Sequence, residues 1–189
     1  YAIIAIAGAH GVMVAVMAMT PVHLMHIMGG TNDAATVTVI GFTISLHIAG
    51  MYALSPVFGI LADKLGRVPT ILLGQAILVA ALLTAALGQG STTAVTVALV
   101  LLGLGWSAST VAGSTLLTEA SAEQMRTKRQ GRSDLIMSLV AAAGAVLAGV
   151  VLGWIGFAGL ALIALGIVAV VVVFAPMARM PRVPVATEA

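Results

Sequence analysis

The chain of 189 residues has no cysteine, so it offers neither a disulfide framework nor a thiolate metal site. Charge is almost as scarce. Eight lysines and arginines and six acids make up 7% of the residues, while 61% are hydrophobic. Ordinary soluble domains carry about 25% charged and about 45–50% apolar residues, so water is not the main solvent of this surface. There is no G-x-x-x-x-G-K-[ST] loop for ATP. Nor is there a paired acidic cluster or nucleophile elbow for hydrolysis within a membrane. No cofactor and no covalent chemistry are implied, which argues against an enzyme. Asp33, Asp63, Glu119, Glu123, Asp134 and Glu188 all fall in connections, at the ends of apolar stretches or in the tail, leaving no carboxylate in the middle of one. A secretory signal needs a basic segment before its apolar region; this chain opens inside an apolar run at Tyr1, with the look of a cut edge.

What fills the chain is long apolar runs. A membrane-crossing helix needs about 20 mostly apolar residues, and six such spans are drawn at 2–26, 37–61, 68–88, 93–117, 134–153 and 157–175. A membrane β-barrel would alternate with period two, whereas 168–174 is apolar on every face. The expected architecture is therefore an all-α membrane protein. Its transmembrane domain covers 1–175, and the tail at 176–189, with Pro176, Pro181 and Pro184, reads as disordered. Lys64 and Arg67 lie between spans two and three, Arg126, Lys128, Arg129 and Arg132 between four and five, and Arg179 and Arg182 after six. Cytoplasmic loops collect Lys and Arg, so both ends are placed in the cytoplasm and the lipid bilayer is the first partner. The same rule accounts for the net charge of +2 without a nucleic-acid partner.

The opposite connections, 29–33, 88–92 and 153–156, are rich in turn residues, and Trp154 falls at a membrane boundary. Ser133 or Asp134 is placed to cap the fifth helix, and Gly144, Gly149 and Gly153, the last two a small-xxx-small pair, to admit a close neighbour. The third and sixth runs are the least polar and read as peripheral. The first, second and fourth carry the polar residues that must face an interior.

Between spans two and three the chain reads Gly59-Ile60-Leu61-Ala62-Asp63-Lys64-Leu65-Gly66-Arg67. This resembles the loop signature of the major facilitator superfamily, G-x-L-[AS]-D-[KR]-x-G-R, at every fixed position. Gly59 allows close helix approach, Gly66 a sharp turn, and Arg67 a bidentate carboxylate pair. The resemblance implies that Gly59, Asp63, Lys64, Gly66 and Arg67 form a conformational latch and bind no substrate. It also implies one six-helix half of a secondary transporter that moves a small organic solute by alternating access, proton-coupled efflux being one form, with a second six-helix half as partner in the same polypeptide or another subunit. The missing initiator Met and the short tail point to the C-terminal half. Across the inner rim, Glu119 with Arg126, Arg132 and their basic neighbours, near Asp134, makes a second ionic latch or a solvated anchor.

His10, His47, Tyr52, Trp106, Ser107, Thr110 and Ser114 are the candidate cavity and coupling residues, because polar groups in hydrocarbon need internal partners or a water-filled space. The alternative keeps them structural, with the hydroxyls bonded back to helix carbonyls and His47 in an interhelical hydrogen bond. His23 and His26, among Met19, Met25 and Met28, raise a soft-metal site, but no thiolate or carboxylate strengthens it. Two other classes stay open. One is a stand-alone six-helix half that homodimerises as a transporter or channel, and the other is a non-transporting membrane sensor or assembly subunit.

Overall fold

The computed structural model describes residues 1–30 and 33–179. Among them the regular structure is helical: α1 (Ala2–Ile27), α2 (Ala34–Tyr52), α3 (Ser55–Leu65), α4 (Arg67–Leu87), α5 (Thr92–Glu119) and α6 (Arg126–Val173), with short 3-10 turns at Glu123–Met125 and Ala175–Arg179. Five helical stretches are long and apolar enough to cross a membrane: α1, α2 with α3, α4, α5, and the stretch containing α6.

Local chemistry explains the boundaries. Asp33 caps α2 by accepting from the Thr36 N–H at 2.8 Å, and Ser91 caps α5 by accepting from the Ala94 N–H at 3.4 Å. The expected single helix over 37–61 is interrupted at Ala53 and Leu54. Pro56 has no N–H to give to the Tyr52 carbonyl, and the Ser55 hydroxyl donates to it instead at 2.7 Å.

Neither Ser133 nor Asp134 caps a helix, because α6 starts at Arg126, well before the apolar run. Hydropathy marks only the part of a helix that fits the bilayer, and the polar turns of 126–133 extend beyond it. Within α6, Gly156 breaks the helix at φ 73 and ψ −177. The chain folds back there. Before the break the Val140 side chain closes over Gly11, and after it Val171 closes over Gly8, so both arms return along α1.

One end of the bundle gathers Tyr1, the α3–α4 turn, the end of α5 and Met177. The other gathers His23, Gln89 and Phe157. The core between them is apolar, from Val12 and Val16 through Leu78, Leu82 and Leu102 to Phe157 and Val168.

The third run does not have the loose packing expected of a peripheral helix. Half of the α4 span is buried, against 22% for α2 with α3. Gly74 lies against the Gly105 carbonyl and Ser109, and Gln75 Nε2 donates to Ser109 Oγ at 2.9 Å. Of the three glycines expected to admit a neighbour on the fifth run, Gly144 and Gly149 have one, Gly144 beside the Gly11 carbonyl and Gly149 facing Met19 Sδ. Gly153 does not, because 153 lies at the hairpin end. In the connection at 29–33, residues 31 and 32 lie outside the described residues. So do 180–189, which hold most of the tail with Pro181, Arg182, Pro184 and Glu188; the tail's beginning forms the Ala175–Arg179 turn.

Candidate functional site

At the charged end one residue, Gly66, separates α3 from α4. Its φ of 101 and ψ of 161 lie where side-chain-bearing residues are strained. The turn sets Arg67 one helical step after Asp63. Arg67 Nη1 donates to Asp63 Oδ1 at 2.5 Å, while Nε and Nη2 donate to Glu119 Oε1 at 3.2 and 2.8 Å. One guanidinium thus ties α3, α4 and the end of α5 together. Glu119 first, and Asp63 second, raise the pKa of Arg67 above its already high value. Asp63 stays largely exposed and Arg67 does not, at 71% and 20% of their side-chain surfaces.

Several expectations at this rim change in detail. Glu119 pairs with Arg67, where the sequence suggested the basic cluster after it. Arg129 instead donates to the Ala120 carbonyl at 3.2 Å, and Asp134 accepts from Gln130 Nε2 at 3.3 Å. Arg126 shares a shallow pocket with Thr118 and Asp134, and Arg132 a separate one with Ile3 and Leu117. Lys64 is exposed. Gly59 meets no neighbour within 4 Å among the described residues, where the sequence suggested a close helix approach.

Away from this rim three helices converge on Trp106. Its indole N–H donates to His10 Nδ1 at 2.9 Å, with ring centroids 5.9 Å apart and tilted by 48°. The Tyr52 ring meets Trp106 at 6.1 Å and 76°. Because Nδ1 accepts, neutral His10 carries its hydrogen on Nε2. Ser107 is 1% exposed, and its hydroxyl and that of Thr110 have no hydrogen-bond partner among the described residues. Ser114 lies one turn beyond Thr110, and its carbonyl accepts from the Thr118 hydroxyl at 2.9 Å.

His47 stands apart from this group. It is fully buried between α2 and α5 and gives Nδ1–H to the Leu99 carbonyl at 2.7 Å, the interhelical bond of the structural alternative. Its Nε2 is buried without a partner among the described residues.

At the opposite end His23 Nε2 bonds to the Gln89 carbonyl at 2.7 Å. The His23 ring stacks on Phe157 at 4.1 Å. Gln89 Oε1 accepts from the Ala158 N–H at 3.2 Å. His26 joins these residues around a cavity of about 360 Å³. Among the described residues no third His, Asp or Glu stands with the two histidines as a metal ligand. This staple of α1, the α4–α5 turn and the Gly156 hairpin was missed by sequence reading, because Gln89 reads as a turn residue and its partners lie 66 and 69 positions away.

Long apolar helices packed through glycines, with charged groups gathered at an end, define a multi-pass helical membrane protein. The sequence matches the Major Facilitator Superfamily profile over residues 2–189, and the chain belongs to that family. The uncharacterized MFS-type transporters YddS and YdeG of Bacillus subtilis (strain 168) are each 39% identical to it over 142 residues. The match covers 75% of this chain, and 31% and 32% of those proteins respectively, so it spans about a third of the relatives' length.

Proposed function

We propose that the chain is one six-span half of a secondary transporter that moves a small organic solute across the cytoplasmic membrane by alternating access, with its ends on the cytoplasmic side. The two arms of α6 on either side of Gly156 count as separate spans in this reading. The observation that carries it is the Arg67 bridge. An ion pair that joins three helices at a rim, with one carboxylate largely exposed, suits a contact made in one access state and loosened in the other. The solute pathway is assigned to the face holding His10, Tyr52, Trp106, Ser107, Thr110 and Ser114. Polar groups of three helices meet there, and family membership supports a transporter over an enzyme. Any proton coupling is assigned to His10, since a proton on Nδ1 displaces the Trp106 N–H that now occupies it. Lipid, a second six-helix half and the solute are the partners.

The test is labelling by a membrane-impermeant maleimide at Ala122→Cys in the intact protein. Arg67→Ala should speed labelling at this rim several-fold, Arg67→Lys less, since lysine cannot hold both carboxylates in one fork. Equal rates in all three proteins would remove the latch assignment. The mass of the intact protein in the membrane fraction separates two halves in one chain from paired short chains.

A further inference from the structure

We infer that the solute recognised at the His10–Tyr52–Trp106 face is an uncharged, planar aromatic compound bearing a hydrogen-bond acceptor. The inference deepens the proposed transport function and rests on that reading of the face.

The three rings do not stack on one another. Angles of 48° and 76° at centroid distances of 5.9 and 6.1 Å form a corner. An edge-to-face corner occupies at most one face at each contact, and Tyr52 is 60% exposed. Aromatic rings gain most from offset or edge-to-face contact with another ring, so a flat aromatic guest completes the arrangement where an alkyl chain or a sugar does not.

Hydrogen-bonding capacity follows from the Trp106 bond. The indole N–H is spent on His10 Nδ1 at 2.9 Å, which fixes the neutral imidazole as an Nε2–H donor. Tyr52 adds a phenol hydroxyl. Thr110 lies one turn from Trp106, and its hydroxyl and that of Ser107 are buried without a partner among the described residues. A buried, unpaired hydroxyl costs free energy until something bonds to it. A carbonyl or amide on the guest supplies that group.

Charge selects against ions. Among the described side chains the carboxylates and the Lys and Arg groups lie at helix ends, in connections or in the opening turns of α6: Asp33, Asp63, Lys64, Arg67, Glu119, Glu123, Arg126, Lys128, Arg129, Arg132 and Asp134. At the depth of Trp106 this chain gives an ammonium or a carboxylate no counter-ion, and an unpaired ion in a low-dielectric site is strongly penalised.

The backbone supports the same location. Tyr52 ends α2 where the helix is interrupted before Pro56. Interrupted membrane helices are tolerated where they line a cavity, and they commonly mark the binding level in transporters.

The experiment uses the intact protein that carries this chain, in liposomes, with three nitrobenzenes that share a ring and differ in charge: 4-nitrobenzamide, 4-nitrobenzylammonium and 4-nitrobenzoate. Nitroaryl groups quench indole fluorescence, and subtracting the signal of the Trp106→Phe protein isolates Trp106. The amide should quench Trp106 saturably, with an apparent affinity about tenfold or more above either ion. Tyr52→Ala should weaken it by about threefold to tenfold, and Tyr52→Phe should keep the ring contribution. Cyclohexanecarboxamide should not displace it. Quenching that rises linearly without saturating, an ion that binds best, or a Tyr52→Ala protein that binds like the parent would each overturn the inference. Uptake of the amide is measured in parallel. Saturable binding without flux would sink the transport reading and leave the aromatic site standing. Flux that is indifferent to Tyr52 and to ring charge would leave transport standing and sink the site.

Discussion

His10 and His47 are both intramembrane histidines, yet their hydrogen bonds give them opposite neutral forms. His10 accepts at Nδ1 and holds its hydrogen on Nε2; His47 donates from Nδ1 and leaves Nε2 bare. Their tasks separate accordingly. His47 lies where α2 and α5 touch backbone to backbone, with Gly103 against the His47 carbonyl and Gly50 against that of Val100. His47→Ala should therefore lower unfolding stability in detergent by about 1–2 kcal/mol, from one interhelical bond and a small cavity. His10→Ala also removes an interhelical bond, the one from the Trp106 N–H, so it should lower stability by a comparable amount and, unlike His47→Ala, weaken binding of the aromatic amide. Loss of solute binding in His47→Ala with unaltered unfolding would make His47 a working group and not a strut. The sequence held both histidines as candidates because spacing cannot show which ring nitrogen meets which neighbour. The same limit applied at Arg67. Asp63 lies one turn away and was legible; the bond from Arg67 to Glu119, 52 residues off, was not.

Among the elements, the packing of α4 against α5 rests on absent side chains. A Cβ on Gly105 would lie 2.9 Å from the Gly74 carbonyl and 2.9 Å from the Leu78 amide. Both are main-chain atoms, so the helices would have to part. Gly105→Ala should lower the thermal midpoint clearly. Gly131→Ala, with nothing within 4 Å, should raise stability by about 1 kcal/mol through helix propensity alone. Gly156→Ala should lose about 1–3 kcal/mol because an L-residue is strained at φ 73. Thermal melts followed by circular dichroism rank the three, and equal midpoints for Gly105→Ala and Gly131→Ala would refute the packing account. The runs themselves were readable, since apolar length is a property of the chain. Their breaks were less so. Pro56 left a visible mark that was read through, and the start of α6 was hidden because helix propensity continues where hydropathy stops.

For the whole molecule, the arrangement of charge makes a topological prediction. The charged end carries Lys64, Arg67 and the 126–132 cluster, and the opposite end carries Gln89 and Trp154, the latter 82% exposed. Basic segments stay in the cytoplasm. This chain contributes no cysteine of its own to the background, so Gly90→Cys should react with an impermeant maleimide on intact cells and Ala122→Cys only after permeabilisation. The reverse pattern would invert the orientation. Family and membrane class were legible from one nine-residue motif and six apolar runs. The convergence of α1, α2 and α5 on Trp106 was not, because it depends on which helix faces meet after folding.

The single-residue joint at Gly66 has a mechanical corollary. With one residue between α3 and α4 and Arg67 joined to Asp63 and Glu119, α3 is tied at this rim to α4 and the end of α5. The pivot available to it is the interrupted stretch at Ala53 and Leu54, directly beside Tyr52. On the proposed transport reading, a guest wedged against Tyr52 would act as a brake shoe on the same lever that opens the rim.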